Sequence, residues 1–251
     1  MTSQKTAIVT GGTKGIGVAV VRAFAEADYS VLIAARNDNG LAKSLGPRAR
    51  FVSVDVCKRD EHRRLVQAAL DWTGRLDVYI NSAGISQWRP IAQVDETFWR
   101  MIIETNLTGT FWGCQAASGA LASGGSIINI SSLAGKRGSA NNSVYCASKF
   151  GVNGITQSLA KELGPRGIRV NAVCPVYVMT DTILESLKDP RSPAGGKNVQ
   201  IYLKEFTEAN TALQRLPLPE EVAQSCLFLA SPAASAITGQ CINIDCGVLP
   251  Q

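Results

Sequence analysis

The sequence predicts one doubly wound α/β domain, with a parallel sheet of seven strands and helices on both faces. Short apolar, β-branched runs alternate with amphipathic stretches along the whole chain, and this order calls for parallel strands joined by right-handed helical crossovers. The 251 residues are 45% hydrophobic and 18% charged, which is enough to bury one large core. Because no repeat or linker interrupts the chain, we predict a single domain over residues 1–251.

The strands are predicted from seven apolar runs of four to six residues. Their composition is that of strands buried on both faces of a parallel sheet. They span residues 6–10, 30–35, 50–54, 77–80, 126–130, 168–173 and 241–244.

The stretches between the strands have helical periodicity. The last of them starts with Pro219, Glu220 and Glu221, and a first helical turn accepts proline and favours acids. The predicted helices span residues 15–27, 60–72, 96–120, 145–163 and 219–230.

Residues 180–216 break this alternation. Two short helix-like pieces are interrupted there by proline, glycine and charged residues. Long excursions of this kind are usually functional or disordered, and we predict a substrate lid.

Charge and cysteine content argue against several classes of protein. The formal charge of +5 is spread along the chain, and its densest run, residues 58–64, mixes bases with acids. That run is interpreted as a solvated helix, so no nucleic-acid partner is expected. The seven cysteines form no CxxC pair and lie outside ligand spacing of the single histidine, His62, so no metal site is expected.

The pattern of apolar residues predicts a cytoplasmic protein with no membrane partner. The first residues contain no apolar segment followed by a small-residue cleavage site, and no apolar run reaches about 18 residues. An odd number of cysteines is typical of reduced thiols in such a compartment.

A glycine-rich turn follows the first predicted strand. The sequence TGGTKGIG, residues 10–17, has glycines at positions 11, 15 and 17 immediately before a predicted helix. Such glycines allow the backbone to approach a phosphate, which the amides at the helix start attract. The spacing GxxxGxG differs from the common GxGxxG, so a purely structural turn is the alternative.

The end of the second predicted strand favours NADP(H) over NAD(H). Ala35 stands where an NAD-binding chain has an acid for the ribose hydroxyls, and Arg36 follows it. Arg36 and Lys14 can both pair with a 2′-phosphate. Asp38 weighs against this interpretation, and a surface position for Arg36 is the alternative.

Tyr145 and Lys149 lie four residues apart, on one face of a predicted helix. A nearby ammonium favours the phenolate and would lower the pKa of the tyrosine from about 10. Such a pair could transfer protons in a chain that has one histidine. The spacing alone is not specific, because a partly buried tyrosine beside a lysine also explains it.

Seven motifs, in order and in register, resemble those of the short-chain dehydrogenase/reductase family. They are TGGTKGIG, VDV with Asp55, NSAG at 81–84, NLTG with Asn106, INISS with Ser132, VCPVYVMTDT and ITGQCINIDCG. Ser132 precedes Tyr145 by thirteen residues, as it does in the family. The resemblance implies a single-domain, NADP(H)-preferring member with a Rossmann-type sheet.

The resemblance also implies roles for four catalytic residues. Tyr145 would exchange a proton with the substrate oxygen, and Ser132 would hydrogen-bond that oxygen. Lys149 would hold the nicotinamide ribose and lower the pKa of Tyr145, while Asn106 would support a water chain that returns protons to Lys149. The cofactor-binding residues implied are Gly11, Thr13, Lys14, Gly15, Ile16, Gly17, Arg36, Asn37, Asp55, Val56, Asn81, Ala83, Gly84, Tyr145, Lys149, Pro175, Val178 and Thr180.

Three positions depart from the family pattern. Ser82 replaces the second asparagine of NNAG, and Val176 replaces the glycine of a Pro-Gly pair. Cys246 replaces the first glycine of the closing Asp-Gly-Gly. None of these removes a reacting group, but Val176 can reshape the nicotinamide pocket.

Substrate contacts are expected beyond the carboxyl ends of the strands. Gln87, Trp88 and Tyr177 are the candidates, and the polar, small residues nearby favour a small polar ketone or aldehyde. Three cations of the lid could attract an anionic substrate or simply be solvated. They are Lys188, Arg191 and Lys197.

The function predicted is an NADP(H)-dependent oxidoreductase that interconverts such a carbonyl compound and its alcohol. A 3-oxoacyl-carrier-protein reductase is an alternative, disfavoured by the atypical lid and the lack of a clustered basic surface; a sugar or polyol dehydrogenase is another. A non-catalytic NADP(H)-binding sensor is disfavoured by the intact Ser132, Tyr145 and Lys149. By resemblance, a homodimer or homotetramer is expected, paired through helices 96–120 and 145–163.

Overall fold

The computed structural model describes residues 4–250, so the ends of the predicted domain, residues 1–3 and 251, lie outside the described residues. Within this range, seven parallel strands form one sheet in the order β3-β2-β1-β4-β5-β6-β7. The strands are β1 (Thr6–Thr10), β2 (Ser30–Ala35), β3 (Ala49–Ser53), β4 (Val78–Asn81), β5 (Ser126–Ile130), β6 (Arg169–Pro175) and β7 (Cys241–Ile244). The strand predictions are confirmed to within two residues.

The α-helices of the described range follow the prediction for the connections between strands. No helix of residues 4–250 has the length and apolar character needed to cross a bilayer. The helices are α1 (Gly15–Glu26), α2 (Leu41–Leu45), α3 (Arg59–Thr73), α4 (Glu96–Ile103), α5 (Gly109–Ala120), α6 (Ser143–Leu163), α7 (Asp181–Ser186), α8 (Val199–Asn210) and α9 (Pro219–Ala230).

The sheet is covered on both faces because its side chains alternate between two cores. Val9 of β1 packs in one core with residues of α1 and α9. Its neighbour Ile8 packs in the other core with residues of α3, α5 and α6. The predicted doubly wound α/β architecture is therefore confirmed.

The predicted helix 96–120 contains a π-helical turn, Glu104–Thr108, between α4 and α5. The Thr110 hydroxyl donates to the Asn106 carbonyl at 2.8 Å, which satisfies a carbonyl in the widened turn. The Asn106 side chain is buried and forms hydrogen bonds with both backbone groups of Ile85. Sequence periodicity did not predict this turn because its partner, Ile85, is distant in sequence.

The segment predicted as a lid, residues 180–216, contains α7 and α8. An apolar cluster includes Leu187, Leu203 and Leu216 of this segment together with Trp88 from the loop after β4. The segment is therefore attached to the domain by its own core, on the edge where the strands end. Neighbouring β1 and β4 lead to opposite halves of the sheet, and ligands bind at such a switch point in open α/β sheets.

Candidate active site

The glycine-rich turn lies between the end of β1 and α1. Gly11 has φ of +68°, and a Cβ at Gly17 would lie 2.2 Å from the Gly11 carbonyl oxygen, so both positions require glycine. In the described structure the Lys14 side chain does not cap α1, and the first turn has no acid. The amides at the start of α1 are thus left for an anion.

The start of the lid lies against this turn. A Cβ built on Gly15 would be 3.7 Å from Cγ2 of Thr180, which caps α7 by accepting a hydrogen bond from Ile183. Ile16 packs on the core beneath the turn. Val178 is buried in the same core, just before the lid begins. These predicted cofactor residues therefore surround the start of α1.

The loop after β2 presents Arg36 and Asn37 to solvent. Neither Arg36 nor the exposed Lys14 forms an ion pair within residues 4–250. The Asp38 carboxylate accepts a hydrogen bond from the Gly40 amide at 2.9 Å, so it stabilises its own turn. Asp38, the residue that weighs against NADP(H), therefore accepts its hydrogen bond within its own loop.

Asn39 connects this loop to the glycine-rich turn, and sequence analysis missed it. Its side-chain amide donates to the Thr13 carbonyl at 2.8 Å, and its side-chain oxygen accepts from Leu41 at 3.1 Å. The Asn-Gly pair at 39–40 is a turn signal that could have directed attention to it. Asn39 therefore fixes the spacing between the two predicted phosphate-binding loops.

Asp55 and Val56 follow β3, and His62 holds this loop. The Asp55 carboxylate accepts from the Cys57 amide at 3.1 Å. His62 is fully buried; Nε2 lies 2.9 Å from the Val56 carbonyl oxygen, and Nδ1 lies 2.8 Å from the Tyr79 hydroxyl. Burial lowers the pKa of His62. Residues 58–64 lie at the start of α3 with most of their charged side chains exposed, as interpreted, whereas His62 within them is buried and structural.

Among residues 4–250, no group of three or more His, Cys, Asp or Glu side chains is arranged to hold a metal ion. The seven cysteines are free thiols.

Asn81 ends β4 with its side chain directed into the protein. Its amide donates to Asn129 at 2.9 Å, and Asn129 in turn donates to Thr156 of α6 at 2.9 Å. This buried chain was missed because its members are distant in sequence. A contact of Asn81 with a cofactor, as predicted, would therefore be made by its main chain.

The turn after Asn81 is held by Thr10. The Thr10 hydroxyl accepts hydrogen bonds from the amides of Ser82 at 3.2 Å and Ala83 at 3.4 Å. The turn therefore forms with serine in place of the second family asparagine, as expected for a departure that removes no reacting group.

The four predicted catalytic residues lie together beyond the ends of β4 and β5. Ser132 lies close enough to Tyr145 to lower the pKa of its phenol, and the Ser132 hydroxyl lies 3.5 Å from the carbonyl oxygen of Pro175. Lys149 is 4% exposed, and its ammonium lies 2.8 Å from the Ile130 carbonyl oxygen and 5.7 Å from the Tyr145 ring centre.

The side chains of Asn106 and Lys149 both approach the backbone of Gly84. A Cβ on Gly84 would lie 3.4 Å from the Asn106 side-chain oxygen and 3.7 Å from the Lys149 ammonium. Asn106 also donates to the Ser148 hydroxyl, which donates to the Tyr145 carbonyl at 2.7 Å. Glycine at position 84 thus keeps this space open.

Burial changes the proton affinity of both titratable groups. Burial raises the pKa of Tyr145 to about 12, although its hydrogen bond with Ser132 opposes the increase. Burial lowers the pKa of Lys149 to about 8. The expected lowering of the Tyr145 pKa by Lys149 is therefore wrong for the protein alone, because desolvation of the phenol outweighs the distant ammonium.

Replacement of Lys149 by Met is expected to raise the free energy of unfolding at pH 7 by roughly 3 kcal/mol, at about 1.4 kcal/mol per pKa unit. The native pKa, about 8, is below the unfolded value of 10.5. The free energy of unfolding of the wild type therefore increases as the pH rises between these values, and the difference in free energy of unfolding between the wild type and Lys149→Met becomes smaller.

Urea unfolding of the wild type and Lys149→Met between pH 7 and 10 measures this difference. Lys161→Met, the same change at an exposed position of α6, is the control. A stability difference that stayed constant with pH would contradict a desolvated ammonium at position 149.

Two of the family departures have clear local explanations. Val176 is not among the described non-glycine residues with positive φ, and it packs with the lid cluster. Cys246 adopts the left-handed region with φ of +55°. Asp245 holds that closing turn by accepting from the amides of Gly247 at 3.0 Å and Leu249 at 2.8 Å.

The predicted substrate residues separate into two groups. Tyr177 lines a cavity of about 330 Å³ beside the lid, and Gln87 is exposed. Trp88 is 3% exposed and belongs to the apolar cluster beneath the lid. Its predicted role as a substrate contact is not supported, since burial among leucines makes it an anchor of the lid.

Known proteins resemble this chain in sequence over nearly its whole length. A family model described as enoyl-(acyl carrier protein) reductase matches residues 11–249. A 3-oxoacyl-[acyl-carrier-protein] reductase of Chlamydia trachomatis is 37% identical, and the alignment covers 98% of this chain and 97% of the relative. A cis-4-hydroxycyclohexanecarboxylate dehydrogenase of Sinomonas cyclohexanicum is also 37% identical, covering 98% and 96% of the two chains.

A solved structure agrees closely in fold. A crystal structure of an actinorhodin polyketide ketoreductase variant with NADPH has a TM-score of 0.90 and 33% identity to this chain. The match covers 98% of this chain and 97% of the ketoreductase. On its fold, its motifs and these relatives, the chain belongs to the short-chain dehydrogenase/reductase family of oxidoreductases, which act on carbonyl and alcohol groups.

Proposed function

We propose that the chain is an NADP(H)-dependent reductase and dehydrogenase that interconverts a small polar ketone or aldehyde and its alcohol. The observation that carries this proposal is the grouping of Ser132, Tyr145 and Lys149: the buried Lys149 ammonium lies 5.7 Å from the Tyr145 ring centre, and Ser132 lies close enough to lower the pKa of the Tyr145 phenol. This group lies on the edge of the sheet where the glycine-rich turn ends β1. A proton donor and a dinucleotide-binding turn on one edge are the two parts that hydride transfer to a carbonyl requires.

The residues on this edge fit a dinucleotide. The close approach of Gly17 to the Gly11 carbonyl packs the start of α1 tightly on the glycine-rich turn, which fixes the position of the amides at the helix start. The amides at the start of α1 would bind that pyrophosphate, and Arg36 with Lys14 would bind a 2′-phosphate. When bound, the cofactor supplies or accepts the hydride.

The protein's own residues would then move the proton. In reduction, the Tyr145 hydroxyl donates its proton to the carbonyl oxygen as negative charge develops there, and the Ser132 hydroxyl donates a second hydrogen bond. Because burial raises the pKa of Tyr145 to about 12, the hydroxyl is protonated near neutral pH. The Lys149 ammonium stabilises the phenolate that remains.

Asn106 would support the return of the proton. Its side chain fixes the backbone of Ile85 and, through Ser148, the backbone of Tyr145. Its side-chain oxygen also approaches the same point as the Lys149 ammonium, beside Gly84. A water at that point would connect a proton path to Lys149, as the family resemblance implies.

A 3-oxoacyl-carrier-protein reductase is the second candidate. Its support is the family model and the chlamydial relative, both of which have acyl-carrier-protein reductase descriptions. The substrate of this candidate is a thioester-linked ketone, whereas the first candidate acts on free carbonyl compounds. A sugar or polyol dehydrogenase remains a third, narrower alternative.

A substrate panel tests the proposal. Ketones, aldehydes, sugars and acetoacetyl thioesters are incubated with the protein and NADPH, and cofactor absorbance is followed, with NADH in parallel. Turnover of free ketones above thioesters supports the first candidate, and the reverse order supports the second. Tight NADPH binding with no turnover of any compound would instead favour the non-catalytic sensor.

Replacement of Arg36 by Ala is expected to weaken NADPH binding by roughly 10- to 100-fold, because one charge-assisted hydrogen bond to the 2′-phosphate is lost. NADH binding should change little, since NADH lacks that phosphate. Titration of protein fluorescence with each cofactor measures both affinities. Arg22→Ala, an exposed arginine on α1, is the matched control. Equal losses for the two cofactors would contradict the assignment.

We also propose that the chain forms a homodimer or homotetramer. Three large apolar side chains are exposed, one on each of α4, α5 and α6: Trp99, Phe111 and Phe150. Helices 96–120 and 145–163, the expected pairing helices, contain all three. Sedimentation velocity of the wild type tests this proposal.

A cytoplasmic location completes the proposal. Its support is that all seven cysteines are free thiols, which is typical of a reducing compartment. The proposed cofactor is also an intracellular reductant.

A further inference from the structure

The cavity beside Tyr177 is bounded by three parts of the chain. One wall is residues 137–141, which connect the turn of Ser132 to the helix of Tyr145. A second is Tyr177, two residues after Pro175, whose carbonyl oxygen lies near the Ser132 hydroxyl. The third is the lid, through residues 191–193, Tyr202 and Phe206. The cavity is thus built on the segments that hold the proposed reacting groups.

The apolar side of the cavity is an aromatic wall. The ring centres of Tyr177 and Phe206 are 4.9 Å apart, and those of Tyr177 and Tyr202 are 6.2 Å apart. The two tyrosine hydroxyls lie 3.2 Å from each other. This wall would contact the carbon skeleton of a ligand, and a volume of about 330 Å³ limits that skeleton to a compact one.

The opposite side is held in place by Asn141. Its backbone has φ of +58°, its carbonyl accepts from the Arg89 amide at 2.6 Å, and its side-chain amide donates to the Arg191 carbonyl at 3.2 Å. Asn141 therefore joins the loop after β4, the wall 137–141 and the lid. A cavity held by three connected segments is formed before a ligand enters.

The charge of the cavity is positive. Within the described chain, none of the residues that line it is acidic, whereas Arg137 and Arg191 are both part of the lining. The Arg191 guanidinium is paired with both carboxylate oxygens of Asp189, at 2.9 and 2.8 Å. Arg137 forms no ion pair within residues 4–250, and its charge acts on the Tyr177 hydroxyl, lowering a pKa that burial raises.

The two other lid cations considered as anion-binding candidates are paired with acids. Lys188 pairs with Glu185 at 2.6 Å, and Lys197 pairs with Glu205 at 2.9 Å. Neither lines the cavity. Of the two arginines that line the cavity in the described residues, Arg137 is therefore the one without an ion pair, and it lies between Ser132 and Tyr145 in the sequence.

We propose that the carbonyl substrate carries an anionic group, a carboxylate or a phosphate, that Arg137 binds while a compact carbon skeleton lies against Tyr177 and Phe206. This inference rests on the proposed function and deepens it, since it assigns the substrate class and a specificity-determining residue. A guanidinium binds either anion through two parallel hydrogen bonds. The two sources differ in size, a free keto acid against a phosphorylated pantetheine thioester, and the experiment separates them.

Matched pairs of ketones that differ in charge test the inference. The first pair is 4-oxocyclohexanecarboxylate and 4-oxocyclohexanecarboxamide; the second is acetoacetyl-pantetheine with and without its 4′-phosphate. NADPH consumption gives kcat/KM for each. We expect the wild type to prefer the charged member of at least one pair by about tenfold or more, as one charged hydrogen bond provides. The pair that shows the preference identifies the source of the anion.

Arg137→Gln is expected to reduce that preference to about one, and Arg137→Lys to retain part of it. Lys188→Gln removes one lid charge outside the cavity and should leave the preference as in the wild type. Equal kcat/KM within both pairs for the wild type, or an unchanged preference in Arg137→Gln, would overturn the inference.

Failure of the proposed function gives a different result. If no ketone is reduced with NADPH or NADH, calorimetric titration of 4-oxocyclohexanecarboxylate into the protein with NADP⁺ present tests whether Arg137 binds the carboxylate. Loss of binding in Arg137→Gln supports the anion site without turnover. Equal binding by both proteins, or none by the wild type, overturns it.

Discussion

Replacement of Tyr145 by Phe is expected to lower kcat by roughly 10²- to 10⁴-fold, the usual contribution of a positioned general acid or base. The phenylalanine ring keeps the packing of Tyr145 against the apolar cluster of Phe98, Ile102 and Val144. Only the hydroxyl that Ser132 contacts is removed, so the affinity for NADPH should remain close to that of the wild type. Stopped-flow turnover and fluorescence titration of NADPH measure the two quantities.

Tyr29→Phe is the matched control for this prediction. Tyr29 precedes β2, on the amino edge of the sheet, and its ring packs on Phe24 with centres 5.0 Å apart. The same change of side chain at that edge should leave kcat unaltered. Turnover by Tyr145→Phe at the wild-type rate would show that another group moves the proton.

Replacement of Gly17 by Ala is expected to weaken NADPH binding by roughly 100-fold or more and to lower the free energy of unfolding by about 1–3 kcal/mol, the usual cost of overpacking. A Cβ at position 17 would lie 2.2 Å from the Gly11 carbonyl oxygen and 3.1 Å from the Gly12 Cα. Both neighbours are backbone atoms that cannot rotate away. The turn must therefore shift, and the amides at the start of α1 shift with it.

Gly119→Ala separates this effect from a general response to glycine replacement. Gly119 lies in the last turn of α5, and nothing lies within 4 Å of its added Cβ. That variant should bind NADPH normally and gain up to about 1 kcal/mol of stability from helix propensity. Urea unfolding and cofactor titration of both variants make the comparison. Normal NADPH affinity in Gly17→Ala would remove the turn from the proposed binding site.

The sheet could be predicted from the sequence because its strands are short, buried and locally encoded. Runs such as residues 6–10 and 126–130 are mostly apolar and buried on both faces, and this pattern is visible within five residues. The proximity of Ser132, Tyr145 and Lys149 could also be predicted, but only from family spacing. The helix pair Tyr145 and Lys149 alone is not specific.

The features that could not be predicted depend on partners distant in sequence. The role of His62 requires Tyr79, and the direction of the Asn81 side chain requires Asn129. The pKa of Tyr145 depends on how many atoms surround the phenol, which no motif contains. An aromatic residue in a loop, such as Trp88, looks the same in sequence whether it lines a cavity or anchors a lid.

Because of the π-helical turn at Glu104–Thr108, the number of residues between α4 and α5 matters as much as which residues they are. One residue more than a regular α-helix is accommodated there. Deletion of a single residue in this turn would restore a regular α-helix and keep the faces of α4 and α5 in place, but it would remove the widened turn from which Asn106 contacts Ile85. When relatives are aligned, a one-residue gap between Glu104 and Thr108 therefore indicates a changed active site, whereas the same gap after α5 would only shorten a loop.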